Sequence, residues 1–437
     1  MGLLCLFSCV SVTKAETLNY GIDAGVSETD NVTLAHEDKI GQTIAVADLD
    51  FDYVEKSGRL DADAVGKFSY LDYLQNAYHR ELLGRFDGSA DLALIPQRLN
   101  WVLQDDFGKA AIDPFTPTIP TNVENINYVS TGPDLHLRLS GASFVDASAR
   151  VAETHFETTP SNNIRVIASL AWGVKLSPLS SISMNVDSER VLFANKILNT
   201  NFDLTNVFVR YELQGARTDL SAELGDTVVD ESGKSTSGGL AKFNFSRKVS
   251  TAARIVLTLG RDSTDASASF AGIEPGATGS VGTAAAPTGS SSYSRIYGSV
   301  GWEYQRNRTT LAFSGRWEKD DYASESALNH TITTGEVRLQ RQLREAFTVQ
   351  IMGRLFKSDY GNVNLPASSG SPDTQTSAIG AGLEWQPGRT LDLKVAIERT
   401  GYTTAPYDTG YQENRVLLTV GYRPRRDMPT GGIGLGR

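Results

Sequence analysis

The 437-residue chain carries 41 Lys+Arg against 51 Asp+Glu, a formal net charge of −10, with 40% hydrophobic and 21% charged residues. No run approaches the ~18–20 consecutive apolar residues of a spanning helix, and the acidic balance argues against nucleic acid as a partner, which calls for a basic surface. With 17 Phe, 16 Tyr and 5 Trp the chain is too aromatic for a solvated tail, and 40 Gly against 15 Pro leans toward β structure.

The N-terminus comes first. Gly2 to Val12 is a short apolar stretch followed by Thr13-Lys14-Ala15 and then Glu16. Small residues at Thr13 and Ala15 suit cleavage after Ala15, which makes residues 1–15 a signal peptide. Cys5 and Cys9 are the chain's two cysteines and both lie inside it. A mature chain without thiols fits export to the periplasm or the outer membrane.

From Leu18 onward the pattern has period two. Leu18, Tyr20, Ile22, Ala24 and Val26 alternate with Asn19, Gly21, Asp23, Gly25 and Ser27. The same alternation returns at Leu82–Leu94, at Ile164, Val166, Ala168, Leu170, Trp172 and Val174, and at Leu391–Ile397. Successive strand side chains point to opposite faces, so each segment has one apolar and one polar face. A soluble sandwich would alternate in the same way. Many segments, however, run to about 10–13 residues, enough for a tilted strand to cross a bilayer, whereas globular strands average ~5–6.

The connectors decide more. Tight ones fall at 55–58, 96–98, 177–180, 305–308 and 386–389, and between them lie long polar ones at 29–41, 108–133, 188–201, 262–291, 320–330, 358–373 and 400–412. Short turns at one end and long loops at the other are the pattern of an outer-membrane barrel. The expectation is an all-β fold: one transmembrane antiparallel β-barrel of 18–20 strands over residues 16–423. Its short turns and both termini face the periplasm, and residues 424–437 form a flexible tail. Ile164, Val166, Leu170, Trp172 and Val174 should face lipid. Aromatics near strand ends, Trp302, Tyr304, Trp317, Trp385 and Tyr422 among them, suit interfacial girdles. The Ala/Gly/Ser/Thr-rich stretch 267–292 reads as a flexible external loop.

An opening strand running into Glu28-Thr29-Asp30-Asn31-Val32, and strands ending in Trp101-Val102-Leu103-Gln104-Asp105-Asp106-Phe107-Gly108, carry a resemblance. The chain resembles the outer-membrane β-barrel porins of Gram-negative exopolysaccharide operons, including those associated with the PEP-CTERM/exosortase system. The resemblance implies a large barrel encoded with polysaccharide synthesis and export genes, and it brings no catalytic residues. One departure concerns the last strand. Val416, Leu418, Val420 and Tyr422 fit it, but Arg423–Arg437 extends beyond.

Enzyme motifs are absent from the sequence. His36, His79, His136, His155 and His330 are scattered without metal-ligand spacing, and neither a G-x-S-x-G elbow nor a phosphate-binding G-x-x-x-x-G-K-[ST] loop occurs. His136 and Ser140 share a strand face, the one arrangement that a membrane hydrolase could use. No catalytic residue, metal or cofactor is expected.

The polar faces are more informative. Asp23, Asp48, Asp50, Asp52, Asp61, Asp63, Asp87 and Asp91 fall on the lumen side of the first four strands, against only Lys67 and Arg85. Later strands are net basic on that side, with Arg138, Arg165, Arg210, Arg295, Arg316, Arg338 and Arg354. One wall would thus be acidic and the opposite wall basic, a transverse field suited to a diffusive pore. Alternatively the charges neutralise one another across a narrow interior. Both rows can also hydrogen-bond sugar hydroxyls, and inward Phe208, Tyr297 and Phe356 can stack on sugar rings.

The leading expectation is a conduit or assembly component for an exported polysaccharide, with outer-membrane lipids and periplasmic export components as partners. A general diffusion porin and a non-conducting adhesive barrel are the alternatives. A long loop folded into the lumen, 108–133 or 262–291, would favour gating over open diffusion.

Overall fold

In the computed structural model the alternating pattern becomes twenty antiparallel strands. Residues 16–424 are described, apart from 114, 272–290, 325, 361–372 and 406–409. The leader 1–15, nearly all of the 424–437 tail and most of the low-complexity stretch lie outside the described residues.

The chain rises and falls through β1 (Glu16–Thr29), β2 (Gln42–Lys56), β3 (Leu60–Tyr73), β4 (Glu81–Ile95) and β5 (Leu99–Ala111). One wall continues with β6 (Val123–Arg138), β7 (Ser143–Phe156), β8 (Asn163–Ser177), β9 (Ser180–Phe193) and β10 (Phe202–Gln214). Then come β11 (Thr218–Glu231), β12 (Lys234–Lys248), β13 (Ala253–Thr264), β14 (Tyr293–Arg306) and β15 (Thr309–Tyr322). The circuit ends with β16 (His330–Arg344), β17 (Phe347–Asp359), β18 (Asp373–Trp385), β19 (Leu391–Ala405) and β20 (Tyr411–Tyr422). Each strand pairs with the next, and β20 pairs back onto β1 from Ile22 opposite Tyr422 to Thr29 opposite Arg415. The barrel is closed and has no edge.

The two faces are inverted relative to a soluble protein. Leu170 and Trp172 are 53% and 55% exposed on the outside, while Asp23 and Arg165 are 4% and 1% exposed on the inside. Ile164 and Val166 share the outward row, opposite Glu153 and Val151 of β7. An apolar exterior on a closed barrel is the surface that lipid demands, since no backbone group is left unpaired in hydrocarbon. The protein is an outer-membrane β-barrel. A 14-residue strand such as β1, tilted by ~40°, rises about 35 Å, more than the ~25 Å apolar band. The surplus stands on the long-loop side. There the outward face turns polar, with Arg190–Asp203 at 2.7 Å and both Lys319–Asp321 and Lys357–Asp359 at 2.8 Å. Toward the short-turn end, stacked Trp302–Tyr304 and Phe347–Trp385 form part of an aromatic girdle.

The connectors follow the expected asymmetry with two corrections. Strands run deeper into the expected loops than sequence polarity suggests: 108–133 shrinks to 112–122 because β5 and β6 extend through its polar ends. In addition, β11 and β12 are joined on the long-loop side by only Ser232-Gly233. Both have positive φ, 55° and 75°, the tight turn whose twist matches paired strands.

The closing seam carries its own ion-pair cluster. Arg423, just past β20, turns inward and meets Asp23 at 2.6 Å, Asp392 at 2.5 Å and Asp50 at 3.6 Å, while Lys394 lies 3.4 Å from both Asp23 and Asp392. Burial alone would lower the Arg423 pKa, but Asp23 and Asp392 raise it, so the guanidinium stays charged. The cluster bridges β19 and β1 over Gly421, where a Cβ would come within 2.1 Å of Asp23 Oδ1 and 2.6 Å of Asp392 Oδ1. At the other end of the seam, Asn414 donates from its backbone N–H and its side chain to Asp30, at 2.8 and 2.6 Å.

Two outcomes follow from this geometry. Leu170→Arg puts a cation near the bilayer midplane at a cost of about 2–4 kcal/mol and should lower the folded fraction in vesicles. Ser169→Arg, one residue away and inward beside Asp187, should fold normally. Gly421→Ala should weaken the seam by about 1–3 kcal/mol, because the added methyl displaces both carboxylates from Arg423; the midpoint of urea unfolding in vesicles measures it.

Candidate functional site

The lumen-facing wall is built by register. Asp23 lies opposite Asp48, Asp50 opposite Lys67, Lys67 opposite Arg85, Asp61 opposite Asp91, and Asp87 opposite Asp106. Asp52 and Asp63 continue the same face, opposite Val65 and Val54. Three of these rungs set carboxylates directly across from one another and a fourth sets Lys67 across from Arg85, an arrangement that costs stability. Local partners offset part of that cost. Arg85 donates to both oxygens of Asp87 at 3.0 and 3.1 Å, Gln104 donates to Asp106 at 2.8 Å, Asn100 to Asp91 at 3.0 Å and Ser89 to Asp63 at 2.8 Å.

The arginines of the later strands are paired laterally. Arg210 meets Glu223 at 2.8 Å, Arg295 meets Asp262 at 3.2 Å, Arg338 meets Glu336 at 2.7 Å and Arg316 meets Glu318. Arg354 reaches over the small residues of β18 to Glu398 at 3.2 Å. Arg138 is exposed near the short-turn end. Twenty strands at ~4.8 Å spacing and ~40° tilt close, if round, on a backbone radius of about 20 Å, so a side chain finds its counter-charge along the wall.

Two expectations about chemistry change. Phe208 is 4% exposed with the Arg210 guanidinium 5.3 Å from its ring centroid, so neither ring face is free for a sugar. Tyr297 is flanked by Arg295 and Arg316, at 4.8 and 5.7 Å. His136 is engaged by Asp146 at 2.9 Å, and Ser140 bonds Ser143 at 2.8 Å, so His136 and Ser140 do not pair.

The long-loop mouth differs from the rest of the lumen. The stretch expected outside begins with a six-residue helix, α1 (Ala266–Ala271), which packs inside. Its Phe270 joins Ala110, Ile126, Tyr128, Ala152 and Phe156 on the inner face of β5–β7. The physical reason is composition: a phenyl ring among small residues gains by burial, and the apolar inner mouth of β5–β7 offers a pocket. Arg165 fastens the segment. Its guanidinium donates to Asp265 and, at 2.5 Å, to Glu189, while its Nε donates to Asn163, which also bonds Ser267 at 3.1 Å.

A second connector crosses the same mouth. Phe115, in the β5–β6 loop, packs edge-on against Tyr360 beyond β17, with ring centroids 4.8 Å apart. Tyr360 stacks on His330, His330 on Tyr322, and Tyr322 on Tyr293, which meets Ser269 of α1 at 2.5 Å. Burial pushes the Tyr360 phenol up to about 12, so it stays neutral. An aromatic chain along the inner rim of β14–β17 therefore joins the two inward connectors. At the opposite end Asp61, Asp63, Val65, Arg254 and Glu303 are exposed to the interior. The lumen is solvated toward the short turns and narrowed at the mouth by α1 and the β5–β6 loop.

No protein-family model matches the chain, and no curated protein is similar to it. Among solved structures, the FrpB iron transporter of Neisseria meningitidis (F5-1 variant) aligns at 9% identity and a TM-score of 0.46, over 93% of this chain and 82% of that one. The ferric enterobactin receptor PfeA of Pseudomonas aeruginosa, in complex with BCV-L6, aligns at 9% identity and 0.47, over 94% and 82%. The copper transporter OprC aligns at 12% and 0.43, over 93% and 80%.

The mouth makes a direct prediction. Arg165→Met removes the shared partner of Asp265 and Glu189 and should release α1. Planar-bilayer conductance should rise several-fold while the barrel still migrates as folded on unheated gels. An unchanged conductance would mean that the Phe270 contact holds the segment without the ion pair.

Proposed function

We propose that this barrel is a gated outer-membrane conduit for an exported polysaccharide. The observation that carries the reading is the difference along the lumen: charged side chains open to solvent toward the periplasmic turns, and at the outer mouth the inward α1 held by the Arg165–Asp265 latch and Phe270. A conduit entered from the periplasm and closed outward until loaded has this polarity. Open diffusion needs no latch. Rows of carboxylates accept hydrogen bonds from sugar hydroxyls, and the neighbouring guanidiniums donate them. The sequence resemblance to barrels of exopolysaccharide operons supports the same reading.

A general diffusion porin for small solutes is the second reading. The three Asp–Asp rungs favour it, because crowded carboxylates on one wall supply a selecting field. Deleting the gene separates the two. Loss of secreted polymer with unchanged small-solute permeability supports export, and the reverse result supports diffusion.

The acidic wall is tested in the latch-opened Arg165→Met background. Replacing Asp48, Asp50 and Asp52 by Asn should lower cation selectivity, read as a shift in reversal potential at low salt. The difference should vanish near about 1 M salt, where the screening length falls to ~3 Å. Selectivity indifferent to both changes would reduce those aspartates to solubilising the wall.

A further inference from the structure

The turn joining β14 to β15 is Arg306-Asn307-Arg308, with Asn307 in the left-handed region at φ 54°, which asparagine tolerates. Register places Arg306 opposite Thr309, and Thr309 opposite Arg341 of β16. These three side chains form one outward row on adjacent strands at the short-turn end. The next outward row toward the membrane is Tyr304, Leu311 and Leu339. Between the turn and the end of β16 lies a groove of about 570 Å³, lined by Arg306, Arg308, Arg341, Thr309, Tyr304 and Leu343 among others, and none of its lining residues is a carboxylate.

Three guanidiniums gathered without a counter-ion repel one another. Their place explains the arrangement. Trp302 and Tyr304 stack at 6.0 Å on the same outward face, and aromatics of this kind mark the level of lipid headgroups. The Leu311–Leu339 row offers an apolar surface on the membrane side of the cations, and Leu343, 54% exposed, lies beyond Arg341 toward the turn. An occupant with an anionic phosphate at the arginine row and acyl chains along the leucines satisfies both. We propose that this groove binds the phosphodiester headgroup of a net-anionic glycerophospholipid from the periplasmic leaflet. The guanidiniums donate to the phosphate oxygens as forks, and the Thr309 hydroxyl supplies a further donor.

The test uses the full-length protein in detergent, incubated with phosphatidylglycerol or with zwitterionic phosphatidylcholine, with bound lipid read by native mass spectrometry. The wild type should retain phosphatidylglycerol in preference to phosphatidylcholine. R306Q/R308Q/R341Q should lose it about tenfold or more, as expected for removing charged hydrogen bonds. R217Q, which removes a cation from the β10–β11 turn at the same end, should retain it. Heat-modifiable gel migration verifies folding; if the triple variant fails that check, Arg341→Gln alone carries the comparison with a smaller expected loss. Equal retention by wild type and groove variant, or an equal loss in R217Q, would overturn the proposal. So would displacement of phosphatidylglycerol by excess inorganic phosphate, which would make the groove a free-anion site.

Discussion

Everything in this structure depends on the hydrogen-bond ladder between β1 and β20. Hydrocarbon offers no partner to a backbone N–H or C=O, so a sheet survives there only if its first and last strands pair. The seam is the one junction not made by a local hairpin, and it joins segments nearly 400 residues apart. The Arg423 cluster at one end and the Asp30–Asn414 bonds at the other fasten it beyond the reach of the ladder itself. Gly421 is the small residue that lets charges from β1 and β19 meet over β20.

Closure inverts the usual placement of polarity and makes the interior a charged surface. The basic residues there find acids on their own strand or within two strands along the wall, which keeps most of the lumen locally neutral. Acids crowd most in the band of β1–β5, where Asp23–Asp48, Asp61–Asp91 and Asp87–Asp106 face each other across the ladder, although Arg423 and Lys394 reach Asp23 and Arg85 reaches Asp87.

The mouth obeys different physics from the wall. Burial of Phe270 and a fully enclosed Arg165 hold α1 inside, and an aromatic chain links it to the loop that carries Phe115. Breaking one partner of a buried ion pair costs more than the pair contributes, because the remaining charge is stranded. Such a latch is stable only when whole.

The barrel itself was legible in the sequence. Period-two alternation, strands too long for a soluble sheet and the asymmetry of the connectors are local properties, and they determine the strands and their number to within two. Charge partners were not legible: Arg423 sits just past the last strand, and its three acids come from β1, β2 and β19. Nor was the inward turn of α1 at the mouth. Asp265 lies 100 positions from Arg165, and the segment around Phe270 has the composition of a solvated loop. Alternation determines which way a strand residue faces, because the pleat leaves it no choice. Which loop turns inward, and which charges meet over a glycine, only the closed tertiary structure decided, because those contacts exist only once distant strands share one ring.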